Sequence, residues 1–268
     1  MIANRIKRLK KRFDDFKIDG YIIPKNDEFF SEYAENDRLK NISKFTGSAG
    51  LAIILKTKNY LFVDGRYTIQ AKNESGKNFK IIEIHKKLPH NIIKNCKLGF
   101  DPLLFTSNKL KRYFSNNIKL VSINENLIDR IHKDETKRTM PFFSLSKNII
   151  GESHQSKIKK ITNFLKLNKT DYLFVSAPEN VAWLLNIRGF DNPTSPIPNS
   201  RLIIGKNKQL LLFAKKENIK KIIKEKKINK NQVAEFQNFR ELINQLKGTN
   251  FIIDNQSCSI FAEKIIES

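Results

Sequence analysis

The sequence predicts an α/β protein of two tandem units, each a mixed β-sheet packed with helices. Short apolar runs alternate with segments of helical period, and the order of these elements repeats once along the chain. With 268 residues, 40% of them apolar and twenty of them Phe, the chain can fill a core in each unit.

In the first unit, Ile2, Ile6, Leu9, Phe13 and Phe16 recur at helical spacing between charges, which makes the N-terminal segment an amphipathic helix. After Gly20, residues 21–24 (YIIP) read as a buried strand. Residues 51–55 (LAIIL) and 60–63 (YLFV), separated by the polar KTKN, read as an antiparallel hairpin. A helix over 67–72 follows, then strand 80–84, a short helix at NIIKN and strand KLGFD. Helix SNKLKRYF, strand IKLVSI at 118–123 and helix NLIDRIH complete the unit.

The second unit repeats this order. Helix SKIKKITNFLKL precedes strand YLFV at 172–175, a helical turn around VAWLL, and strands at 201–205 and 209–214. A Lys-rich helix, strand VAEF, helix FRELINQL, strand FIID at 251–254 and helix IFAEKII follow. KLGFD, ending at Asp101, aligns with NFIID, ending at Asp254, and SNKLKRYF aligns with SIFAEKII. Nothing in the second copy answers to IKLVSI and NLIDRIH, so that unit is expected to be incomplete at its C-terminus. The expected boundaries are 1–133 for the first unit, 134–153 for a polar, Pro141-containing linker without period, and 154–268 for the second unit.

The formal charge is +23, and only 11 of the 50 basic residues are Arg. Arg is the side chain suited to bidentate contacts with phosphates and bases, and the Lys are dispersed from Lys7 to Lys264, so no specific nucleic-acid partner is expected. Cys96 and Cys258 form no CxxC pair, and no apolar run reaches membrane-spanning length. A cytoplasmic location with no membrane partner is expected.

FTGSAG at 45–50 places two glycines ahead of a strand, without the Lys-Ser/Thr ending or following helix of a phosphate loop, so a structural turn is preferred to an anion cradle. Asp64 in DGRY stands where it can cap the following helix. Arg66 is a candidate partner for a carboxylate within the fold or across an interface. Histidines 85, 90, 132 and 154 build neither HExxH nor a carboxylate-rich cluster, so catalytic and metal residues are expected to be none. Trp183, the sole Trp, lies in VAWLLNIRG with Arg188, and is expected in the core or as an interface anchor. The run KKENIKKIIKEKKINK reads as a helix with one apolar stripe and a solvated Lys face.

In order along the chain, SEY at 31–33, FTGSAG, DGRYTIQA at 64–71, LGFDP at 98–102, GES at 151–153 and AWLLNIRG at 182–189 resemble long-form Xaa-Pro aminopeptidases of the creatinase and aminopeptidase P family of pita-bread metallopeptidases. The resemblance covers essentially the whole chain. It implies two creatinase-N-terminal-like domains followed, in complete members, by a catalytic domain with two divalent metals, commonly manganese. That domain removes an N-terminal residue ahead of proline. None of its ligands has a counterpart in this sequence, so the chain is expected to be inactive alone and to hold no cofactor. The resemblance further implies a homodimer in the complete protein and a role of these domains at the active-site entrance. Peptide substrate would then be met only through the catalytic domain. Arg66, Trp183 and Arg188 are the positions expected to make such contacts. The rival reading is a stand-alone creatinase-like dimerisation or binding module.

Overall fold

The computed structural model describes residues 2–33, 36–114, 117–132, 140–146, 148–192 and 194–268. The chain divides into unit 1, Met1–Thr136, and unit 2, Lys137–Ser268. Unit 1 runs α1 (Ile2–Lys10), β1 (Gly20–Pro24), α2 (Arg38–Ser43), β2 (Gly50–Leu55), β3 (Asn59–Val63), α3 (Thr68–Ser75), β4 (Lys80–Glu83), α4 (Pro89–Ile92), β5 (Cys96–Phe100), α5 (Ser107–Tyr113), β6 (Ile118–Ser122) and α6 (Leu127–Ile131). Its sheet has the order β4-β3-β2-β1-β5-β6. β1, β2 and β3 pair antiparallel, β2 and β3 through a short hairpin loop and β1 and β2 through a long connection that holds α2, whereas β4, β5 and β6 each join in parallel after a helical crossover.

The whole of β1 is buried, as befits a central strand with both faces covered. Tyr21 and Ile23 face a core shared with Leu9 and Phe13, Leu39 and Ile42 of α2, and Leu127, Ile128 and Ile131 of α6. The apolar period of the first helix continues beyond α1, whose regular turns end at Lys10; Phe13 is still fully buried.

Unit 2 runs β7 (Phe143–Ser144), α7 (His154–Leu167), β8 (Tyr172–Val175), α8 (Pro178–Leu185), β9 (Ile187–Arg188), β10 (Arg201–Gly205), β11 (Leu210–Phe213), α9 (Lys216–Lys224), β12 (Val233–Ala234), α10 (Phe239–Asn244), β13 (Phe251–Ile253) and α11 (Ile260–Ile266). Its main sheet has the order β12-β11-β10-β8-β13, which is the order β4-β3-β2-β1-β5 of unit 1. Leu202 and Ile204 face a core with α7, α8 and α9, and Ile203 faces another with α10 and α11. The Lys-rich α9 buries Ile219 and Ile222 along one stripe.

The duplication extends to single hydrogen bonds. Asp19 and Asp171 stand before β1 and β8; each takes a backbone N–H from the start of the parallel neighbour, Lys97 within β5 at 2.8 Å and Asn250 just before β13 at 2.9 Å. Lys17 and Lys169, two residues earlier, both have φ near +50° and end the preceding helical turns. Asp101 and Asp254 close the paired strands with turns to Leu103 and Gln256, and Thr106 and Ser259 then cap α5 and α11. Left-handed Lys44 and Asn186 terminate α2 and α8. Arg5 and Lys157 each donate from the first helix of their unit to a carbonyl of the second, Asn41 O and Trp183 O.

One expectation is corrected. Within the expected linker 134–153, Phe142 is buried in the unit 2 core and β7 pairs with β9, because an apolar Phe-Phe step gains by being covered. The expected boundary at 133/134 lies outside the described residues. Helix α2 has no periodic signal in the sequence; Asp37 caps it by accepting from Lys40 N–H.

Candidate functional site

In unit 1 the two most distinctive motifs meet. Thr46 of FTGSAG donates its N–H and its hydroxyl to the Glu74 carboxylate at 2.8 and 2.7 Å, and Gln70 donates to both Thr46 and Glu74. Ser48 and Tyr67 lie 3.0 Å apart through their hydroxyls. A carboxylate therefore occupies the N–H that an anion cradle would use, and the structural-turn reading fits. Gly47 is needed by close approach: a Cβ there would meet the Phe45 ring at 2.3 Å. Gly189 repeats this in unit 2, against Phe142 and Pro198 at 2.9 Å.

Beside this loop, Asp64 caps the short helical turn Gly65–Tyr67 through Arg66 N–H at 3.0 Å and accepts Arg66 Nε at 2.8 Å. Those Arg66 hydrogen bonds lower the Asp64 carboxyl to about 2. His85 Nε2 lies 3.3 Å from the other Asp64 oxygen, whereas His90 faces Tyr113 O, so the two histidines do not converge. Arg66 itself keeps a side chain 73% exposed, with its guanidinium 5.5 Å from the Tyr67 ring centre.

In unit 2, α8 presents Trp183 outward at 57% exposure, which removes it from the core. Lys157 Nζ sits 4.0 Å from the ring centre and donates to Trp183 O and Asn186 Oδ1 at 2.7 Å each. The indole is thus held on one face by a cation and open on the other. Arg188 is half-buried and its Nη1 donates to Ile187 O and Ala182 O at 2.8 and 3.3 Å, within the backbone of its own unit.

A third group went unread in the sequence: the polar crevice at the carboxyl ends of parallel β1 and β5. Lys25 pairs with Asp37, and Arg38 grips Asp129 with Nε and Nη2 while reaching Glu28 at 3.3 Å. Burial works against the Arg38 charge, but the Asp129 hydrogen bonds outweigh it and hold the guanidinium above its ordinary value. Asp27 accepts Phe29 and Ser31 N–H at 2.9 Å; burial, reinforced by Glu28, pushes its carboxyl up to about 6. Lys109 donates to Asn26 Oδ1 at 2.9 Å, and burial lowers its ammonium to about 8. Burial likewise raises Asp101, which accepts from Asn126 Nδ2. The only signal in the sequence was the polar KND directly after YIIP. The position matters because ligands of open α/β sheets gather where strand order reverses, yet these groups satisfy one another and hold turns. Among the described residues no three His, Cys, Asp or Glu side chains gather as a metal ion requires.

Comparison with known proteins decides the family. A family model described as Creatinase/Prolidase N-terminal domain matches residues 5–131, and a second of the same description matches residues 133–268. The chain belongs to the creatinase/prolidase N-terminal domain family. Among curated proteins, creatinase-type relatives include Xaa-Pro aminopeptidase 1 of Dictyostelium discoideum, 30% identical over 78% of this chain and 37% of the relative. Xaa-Pro aminopeptidase ApepP of Drosophila melanogaster is 31% identical over 79% of this chain and 38% of its own length. The crystal structure of an X-prolyl aminopeptidase from Caenorhabditis elegans, described as a cytosolic enzyme with a di-nuclear active site, superposes with a TM-score of 0.79 at 25% identity. That match covers 92% of this chain and 44% of the worm protein. The chain spans little more than a third of the length of these curated relatives.

Proposed function

We propose that this chain is the non-catalytic N-terminal portion of an Xaa-Pro aminopeptidase, serving dimerisation and the active-site entrance of a cytoplasmic enzyme. The carrying observation is that two creatinase-type N-terminal domains account for residues 5–268 and leave most of the length of the aminopeptidase relatives unmatched. Release of the residue ahead of proline, and the two divalent metals, manganese in this reading, that such chemistry uses to activate water, then belong to sequence outside residues 1–268. Trp183, fixed by Lys157 and open on its outer face, suits an interface anchor. Arg66 supplies an exposed guanidinium for a carboxylate across the interface, and Arg188 stiffens the backbone behind Trp183.

Two measurements test this. Incubated with an Xaa-Pro peptide and Mn²⁺, the purified chain is expected to release no N-terminal residue; turnover that a chelator abolishes would overturn the reading. In sedimentation velocity the chain is expected to dimerise, with Trp183→Ala weakening the dimer and leaving the fold intact. A monomer at every concentration would remove the dimerisation role.

A further inference from the structure

The two units diverge where the first helix of each runs out. Aligned on Asp19 and Asp171, Ile6 answers to Ile158 and Phe13 to Leu165, and all four are buried. The outward positions of the same stretch differ. In unit 1 they hold Arg12 and Asp15, which pair at 3.4 Å, and Asp14, which takes Lys56 at 2.8 Å. In unit 2 they hold Phe164, Leu167 and Lys166. Phe164 is 48% exposed and Leu167 83%. Three residues apart on α7, these two share a face and stand clear of its buried stripe of Ile158, Thr162 and Leu165. The frame common to both units leaves these positions solvated in unit 1, so it gives no reason for apolar side chains there in unit 2.

Lysines share this end of unit 2. Asp171, just after α7, takes Asn250 N–H at 2.9 Å and the Lys206 ammonium at 2.6 Å, and its carbonyl accepts Lys206 N–H at 2.8 Å. These bonds gather the β10–β11 turn and the segment before β13 beside the end of α7. Over 164–171, 206–209 and 245–250 the chain carries Lys166, Lys169, Lys206, Lys208 and Lys247, with Asp171 as the one acid. Apart from Lys206, these lysines are exposed and make no ion pair among the described residues.

We propose that this end of unit 2 rests on an anionic lipid surface, with Phe164 and Leu167 entering the headgroup layer and Lys166, Lys169, Lys208 and Lys247 held against its negative charge. Charge sets the sign of the partner, and area sets its kind. Two protruding side chains fall far short of the roughly 20–30 residues a side that a stable protein interface uses. A bilayer needs only a few apolar anchors when basic side chains add their attraction to an anionic leaflet. Among the described residues no helix is long and apolar enough to cross a membrane, so the contact is peripheral. Such a contact needs no long apolar run, and the expectation of no membrane partner, drawn from run length, does not reach it. It follows from the difference between the two units and does not depend on the peptidase reading.

The probe is a sedimentable vesicle of equimolar phosphatidylcholine and phosphatidylserine, mixed with the intact chain at low and at physiological salt. Binding is expected to be at least about tenfold tighter than to phosphatidylcholine alone. The whole chain is basic, so charge alone would also draw it to such vesicles, and the variants separate the two effects. Phe164→Arg combined with Leu167→Asp installs the pair that unit 1 carries and leaves the net charge unchanged. It is expected to weaken vesicle binding by at least about tenfold, while β8 and β10 keep their amide protection and so show that unit 2 is folded. Ile69→Ser, at a 78% exposed apolar position of unit 1, is expected to leave binding unchanged. Undiminished binding by the double variant, an equal loss with Ile69→Ser, or no binding to the anionic vesicles overturns the proposal. Capture by polyglutamate that is tighter than by vesicles and is lost in the double variant also overturns it, since the partner would then be an acidic polypeptide.

Discussion

Units 1 and 2 hold the same five strands in the same order, with the same capped turns, yet they bury them differently. The strand after the central one, β5, lies within its sheet, with Leu98–Phe100 buried, whereas its counterpart β13 is partly exposed throughout. The polar chemistry differs too. Where unit 1 follows β1 with the buried Lys25, Asn26 and Asp27, unit 2 follows β8 with buried Ser176, Ala177 and Pro178, and Ser176 meets Ser257 at 2.8 Å. Strand order and turn chemistry therefore specify the frame, while the cover supplied by β6 and α6 and the charges of the crevice are separate additions to it. Taking these additions away from unit 1 should make it behave like unit 2.

The largest effect is expected from Leu127→Ala. This side chain is fully buried where α6 meets α1 and Tyr21, and truncation there should cost unit 1 about 2–5 kcal/mol in urea unfolding. Unit 2 should be untouched. Arg38→Ala should come next, at about 1–3 kcal/mol, because it leaves Asp129 without its two-pronged partner in a partly buried place. The matching substitution Asn180→Ala should stay within about 0.5 kcal/mol, as for an ordinary exposed position. Equal effects at the two positions would break the comparison.

Much of this frame was legible because it is local. Apolar runs marked the strands, Asp64 preceded a turn it does cap, and the alignment of Asp101 with Asp254 exposed the repeat. The crevice was not legible, since Lys25 and Arg38 lie far in sequence from Lys109 and Asp129, and the addition of β5 and β6 beside β1, with the packing of α6 on α2, brings them together. Six-residue α2 was too short for a periodic signal to stand out. Phe142 was hidden by its polar, Pro141-containing surroundings, and Trp183 was ambiguous because helical spacing does not say which face of a short helix remains uncovered.

The last effect concerns pH. Burial raises the Asp27 carboxyl from its ordinary 3.8 to about 6, so between these values the folded state binds more protons than the unfolded one. Its contribution should therefore favour the fold more as pH falls from about 6 to about 4, the reverse of an acid held by a salt bridge, by about 1–2 kcal/mol. Asp27→Asn should flatten that part of the stability profile of unit 1. An unchanged profile would contradict the assignment.

Amide exchange of the intact chain, read at Leu98–Phe100 and at Phe251–Ile253 in one experiment, tests the comparison most directly. These strands share a position, a direction and a following helix, and differ in what covers them. The β5 amides are expected to exchange at least about a hundredfold more slowly than those of β13. Equal rates, or a slower β13, would contradict the claim that β6 and α6 are what set the two units apart.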